Sequence, residues 1–341
     1  MGSDELRDEA YERFSCTGPE FDGWLSNHGP MAADALIRLG RADVVEDWVG
    51  AYTKRLEDEP RPRWVIDDRG WREPLGDPSR LGDWLQHFAT RVHEGPWEDL
   101  LAQWWPRLLP GAIASSTHGL IRTGHAVRAL REHVTPQRLD ELAQALGYWA
   151  ARWQPLHGSP APSGTTGVAE AMDELPIIEA EGGTRTRLAR LAEVPAWSRV
   201  IGSVRPAGSA AEVPAALDDL VDLAVARYRR WAHGSPVLLV HAATAPRAAA
   251  LALPSLPQTM WTATYDMAWA VSATIVAAYR PAHEAQEPTA GAVDVDAVVD
   301  RAVASGDEHA IKFVEVAVES HTRGAHSALA AADRAARLLG G

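Results

Sequence analysis

Residues 236–280, PVLLVHAATAPRAAALALPSLPQTMWTATYDMAWAVSATIVAAYR, decide the class of the fold. Across these residues only Arg247, Asp266 and the final Arg280 carry a charge, and the apolar positions recur at three- and four-residue spacing. That period predicts helices over 236–252 and 258–280. Helices that are apolar on every side lie in the middle of a globule, so His241 is expected deep in the interior.

Working outward, the same period predicts helices near 3–15, 30–58, 79–93, 97–105, 116–133, 136–154, 211–232, 294–304, 307–323 and 326–339. Their ends carry matching punctuation: Pro30 at a helix start, Gly40 as a C-terminal stop before Arg41, Thr135-Pro136 as N-cap and first helical residue, and Pro254 after an Ala-rich run. No alternating strand pattern emerges. The expected fold is all-α, one large multi-helix globular domain over 1–341, with 1–155 and 167–341 as candidate close-packed halves. Turn formers cluster too densely for helix at 59–78 and at 155–166, and the second cluster is the expected linker. A third, polar stretch at 281–292 reads as a surface loop or a lid.

Composition narrows the function classes. With 46% hydrophobic and 23% charged residues, the 341-residue chain has enough apolar content for a sizeable core. A net charge of −13 and the lack of any basic stripe argue against nucleic acid as a partner. No uninterrupted apolar run reaches membrane-spanning length, and the acidic start (Asp4, Glu5, Asp8, Glu9) is the reverse of a basic leader, so a cytoplasmic protein without a membrane partner is expected. The single cysteine, Cys16, excludes an intramolecular disulfide and a Cys-rich zinc site. Fourteen tryptophans against four phenylalanines make Trp the main bulky core filler, with Trp261 and Trp269 the alternative candidates for walling an aromatic ligand.

Two tetrapeptides of one design, Ser26-Asn27-His28-Gly29 and Ser116-Thr117-His118-Gly119, each open a helical stretch, and His309-Ala310-Ile311-Lys312 follows near the other end. A ring placed where a helix begins is held by backbone on both sides and suits a metal ion. A lone histidine on an apolar face is more often a core residue. The coincidence of His28, His118, His241 and His309 is what favours a shared centre. His309 and Lys312, three apart, share a helix face. A buried lysine is pushed towards its neutral amine, which reacts with carbon dioxide to give a carbamate, an anionic oxygen donor. The competing reading is a side chain that reaches the surface or pairs with Glu308 or Glu315. His125, on the same face as His118, is a second-sphere partner or weak ligand. His87, His93, His133 and His157 are expected to face water. Nucleotide-binding glycine loops, His-Glu-x-x-His and a nucleophile elbow are all absent from the sequence.

Taken together, Ser26-Asn27-His28-Gly29-Pro30-Met31 leading to Leu39-Gly40, His118-Gly119-Leu120-Ile121-Arg122, Val240-His241 with Thr244, and Asp307-Glu308-His309-Ala310-Ile311-Lys312 resemble the questin oxidase-like family over about residues 20–325. The resemblance implies a helical oxygenase that opens anthraquinone-type rings of aromatic polyketides with dioxygen. It further implies Fe(II) held by His28, His118, His241, His309 and carbamylated Lys312. Met31 and His125 depart from the family pattern, which tends to a second histidine and a tyrosine there. On this reading Arg122, one turn from His118, contacts a substrate carbonyl or phenolate; the alternative is a helix-capping role. Three rivals remain: a metal-free oxygenase using NADPH, with the histidines as bases; a non-catalytic polyketide-binding protein; and a zinc hydrolase, for which Asp266 is the available carboxylate.

Overall fold

The computed structural model describes residues 2–178, 182–285 and 293–340. The fold is all-α, and it divides into two compact units, Met1–Pro155 with Leu251–Pro257, and Leu156–Ala250 with Gln258–Gly341. Most of the expected 281–292 loop lies outside the described residues.

The first unit contains α1 (Ser3–Ser15), α2 (Gly29–Arg38), α3 (Val45–Thr53), α4 (Leu81–Arg91), α5 (Trp97–Leu108), α6 (His118–Glu132) and α7 (Pro136–Arg152). Among the described residues the strands are Glu20–Phe21 and Leu25–Ser26, a small antiparallel hairpin in which Glu20 faces Ser26. Helix α7 is the central element and packs against α1, α4 and α6. It starts as its sequence dictates: the Thr135 hydroxyl accepts from the Arg138 amide at 3.3 Å, and Pro136 fills the first turn, where a missing N–H costs nothing. The expected 30–58 helix is divided. Gly40 adopts φ +74°, its amide donates to the Ile37 carbonyl and that of Arg41 to Leu36, and this paired closure ends α2 before α3 begins. The 59–78 stretch is irregular, as its turn formers require.

The second unit contains α8 (Val168–Glu174), α9 (Thr184–Ala192), α10 (Pro195–Ser203), α11 (Val213–Trp231), α12 (Pro236–Leu239), α13 (His241–Ala252, which ends inside the first unit's Leu251–Pro257), α14 (Trp261–Tyr279), α15 (Val295–Ser305), α16 (Glu308–Thr322) and α17 (Ala328–Leu339). Helix α11 packs on α14, α16 and α17, and α16 on α15 and α17. Residues expected to form a linker are not idle chain: the amides of Ser163, Gly164 and Thr166 donate to carbonyls at Gly202, Val204 and Ser203, tying this stretch to the end of α10. The 236–252 helix breaks after Leu239, so His241 opens α13 instead of lying inside a longer helix.

The 20-residue stretch Pro236–Ser255 is long and apolar enough by length and composition to cross a membrane; 18 of its residues have a mean hydropathy of 1.4, although 72% of those 18 are buried within the protein. No uninterrupted apolar run signals it, because His241, Arg247 and three prolines punctuate it. Trp269 is core: it is fully buried, and its indole N–H donates to the Ile201 carbonyl at 3.2 Å.

Candidate functional site

In the first unit, His28 is the N-cap residue of α2. The hairpin delivers the chain to it. The Asn27 amide donates to the Pro19 carbonyl at 2.8 Å, the Asn27 side chain accepts from the Gly29 amide at 2.8 Å, and the His28 amide donates to the Tyr52 hydroxyl at 2.9 Å. Gly29 lies against the Phe14 ring so closely that any Cβ would collide with it. The glycine of Ser-x-His-Gly is therefore a packing requirement, and it fixes where the histidine backbone can run.

His118 opens α6 after an unusual approach. Ser115, Ser116 and Thr117 all take positive φ (45°, 54° and 74°), a left-handed path that costs non-glycine residues roughly 1–2 kcal/mol each. The reward is orientation. The His118 ring hydrogen-bonds through Nδ1 to the Ser115 carbonyl, and since a carbonyl only accepts, Nδ1 carries the proton and Nε2 the lone pair. Gly119 then passes Trp149 with space for no side chain, its would-be Cβ 2.6 Å from the tryptophan Cβ.

The two rings meet. His28 and His118 are 4% and 8% exposed, their centroids are 4.3 Å apart at 62°, and a ligand-capable nitrogen of one lies within 4.8 Å of one on the other. Metal–nitrogen bonds of about 2.0–2.1 Å place two donors roughly 3–4 Å apart on one ion, so a small ring adjustment suffices for both to bind the same cation.

The second unit carries the other pair. His309 is the second residue of α16, whose N-cap Asp307 accepts from the amides of His309 and Ala310 at 2.9 Å each. His241, 1% exposed, lies with its ring centroid 5.6 Å from that of His309. One turn along α16, Lys312 is also 1% exposed, so the surface-reaching alternative does not hold. Burial pushes its ammonium down to about 8, against the opposing pull of the Glu308 and Asp307 carboxylates. A minor fraction of neutral amine is thus present at neutral pH, and it grows as the pH approaches 8.

Arg122 and His125 occupy different surroundings. The Arg122 guanidinium clasps the Glu141 carboxylate with two bonds of 2.6 Å and also donates to Gln144 at 3.1 Å. Its remaining nitrogen, Nη1, is buried with no hydrogen-bond partner among the described residues. The His125 Nδ1 bonds Asp34 at 2.9 Å, and the same fully buried carboxylate is paired with Arg7, Arg38 and Arg128. Burial alone would raise Asp34, but Arg128, His125 and Arg38 overcome it and hold the carboxyl well below its ordinary value. The sequence reading passed over Asp34; an acid standing alone in the apolar run Pro30–Ile37 was the available signal.

His87 does not face water as expected. It is half-buried among Trp84, Phe88 and Trp104, and its Nδ1 donates to the Ile66 carbonyl at 3.0 Å. His93 and His133 do lie near the surface, paired with Asp140 and Asp4. Asp266 is half-buried, its carboxyl is pushed up to about 6 by burial, and its Oδ1 has no hydrogen-bond partner among the described residues. Against known proteins, no family model matches the chain, and no curated protein matches it.

Proposed function

We propose that the chain is a cytoplasmic non-haem iron oxygenase, similar to the questin oxidase-like family, that opens a ring of a polycyclic aromatic polyketide of the anthraquinone type. The candidate iron donors are His28 and His118 in the first unit and His241, His309 and Lys312, as a carbamate, in the second. One observation carries this reading: each unit sets a pair of histidines at helix starts, with His28, His118 and His241 buried and His309 partly so, and the second adds a buried lysine whose ammonium is pushed down to about 8. The donor set fits. Imidazole suits iron, and a carbamate oxygen adds the single negative charge that neutral rings lack.

When bound, iron supplies the one-electron chemistry that triplet dioxygen requires to react with a closed-shell aromatic. The protein's own groups do the rest. The Ser115 carbonyl keeps the proton on Nδ1 of His118 and so keeps Nε2 as the donor. The Lys312 amine nitrogen bonds the carbon of carbon dioxide and releases a proton to solvent, leaving an oxyanion at a buried position. Iron held by neutral rings and a single carbamate would keep a net positive charge, which would draw an ionised phenol or quinol. Arg122 can meet a substrate oxygen only through Nη1, since Glu141 and Gln144 engage its other nitrogens.

The test combines elemental analysis of protein grown with iron and zinc supplied together and dioxygen uptake on a set of hydroxyanthraquinones. One iron per chain, with uptake lost on its removal, is the expected result. Turnover by metal-free protein with NADPH would replace this reading, and stoichiometric zinc without dioxygen uptake would overturn it.

A further inference from the structure

Helix α7 presents Tyr148, Trp149 and Arg152 towards the two segments that carry His28 and His118. The Tyr148 hydroxyl is buried and lies 2.6 Å from the Ser26 hydroxyl, two residues before His28. It also bonds the Ser115 side chain, whose own carbonyl holds the His118 ring. One turn later Arg152 bonds Glu20 at 2.6 Å, and Glu20 is the cross-strand neighbour of Ser26. The hairpin ahead of His28 is therefore gripped at two matched points. Between them, Trp149 closes on the Gly119 backbone and donates its indole N–H to the Gly111 carbonyl at 3.2 Å. The left-handed path at Ser115–Thr117 is costly, and this helix braces both of its ends.

We infer that Tyr148 is a positioning residue for both first-unit histidines: its hydroxyl joins the serines ahead of His28 and His118, sets the distance between the rings and keeps the His118 tautomer in which Nε2 carries the lone pair. The consequence for metal rests on the proposed function; the geometry does not. A hydroxyl with one proton and two acceptor sites can serve two serine hydroxyls at once, which no other side chain of that shape does. Without it, the Ser115 side chain loses this anchor, and the left-handed backbone that aims its carbonyl at the imidazole is held by fewer bonds.

The experiment uses the full chain, wild type and Tyr148→Phe, with two readouts. Side-chain nitrogen NMR of metal-free protein reports the His118 tautomer, and titration with Co(II) reports affinity together with the visible spectrum of the bound ion. The expected result is a single Nδ1–H tautomer in the wild type and a mixture in Tyr148→Phe, with Co(II) affinity lowered about tenfold and the spectrum altered. Wild-type tautomer and wild-type affinity in Tyr148→Phe would overturn the assignment. Should that variant fail to fold, Ser26→Ala provides the second arm: weakened Co(II) binding with the tautomer kept supports the role, and unchanged binding refutes it. A wild-type chain that binds no metal sinks the metal reading, and the tautomer comparison then decides the positioning role alone.

Discussion

The two histidine pairs are held by different means. In the first unit the rings are delivered by loops, one of them running through three left-handed residues, and both loops lean on the side chains of α7. In the second unit the rings sit on ordinary helix starts, with Asp307 capping α16 through two backbone bonds. The first arrangement spends backbone strain on precise aim and recovers it through packing; the second uses standard helix chemistry and places its unusual cost in one buried amine. The lesson is that similar donors demand different supports, depending on whether the helix beneath them starts where the ring must point.

The largest effect is expected at that amine. Lys312→Ala should abolish most metal binding, with partial recovery by formate or acetate, measured by elemental analysis. In metal-free wild type, under buffer free of carbon dioxide, the same lysine gives a pH signature. From about pH 8 to 10.5 the unfolded chain holds a proton that the folded one has released. Stability therefore rises across that window, by roughly 3 kcal/mol, and is lowest below it. Denaturant melts at pH 7.5 and 10 check this, and a flat profile that Lys312→Met leaves unchanged would place the amine in contact with water.

Next in size, Gly119→Ala drives a methyl into Trp149 and should cost about 1–3 kcal/mol, as overpacking does. It should also disturb the first pair, so that the His28 and His118 ring resonances shift. Asp307→Ala removes a cap of the second pair and should cost about 1 kcal/mol. The smallest effect belongs to Ser116→Gly. Relief of a left-handed serine is offset by the extra freedom of the unfolded glycine, so the thermal midpoint should rise slightly or hold. A large fall would mean that the Ser116 side chain, and not its backbone, supports the turn.

The all-α class was legible because period and punctuation agree over most of the chain: Thr135-Pro136 starts α7, and Gly40 ends α2, for reasons visible in the residues themselves. Helices α8 to α10 escaped notice, since α8 is seven residues long and α9 interleaves Arg185, Arg187 and Arg190 with few apolar positions. Pro195 and Gly183, at the starts of the two neighbouring helices, were the cues available. At the site, Ser-x-His-Gly correctly announced two helix starts, but the break at Val240 that puts His241 at a third was hidden inside a uniformly apolar stretch. The ties through Tyr148 and Asp34 were beyond reach. Their partners lie 122 and 94 residues away, and no spacing rule connects groups brought together only by packing.

Because one helix face underlies both loops, the separation of the first two imidazoles depends on α7 as well as on the tetrapeptides that contain them. Changes at positions 148, 149 and 152 would therefore alter the spacing of that pair without touching the Ser-x-His-Gly segments: the loops are the pointer, and the helix is the ruler.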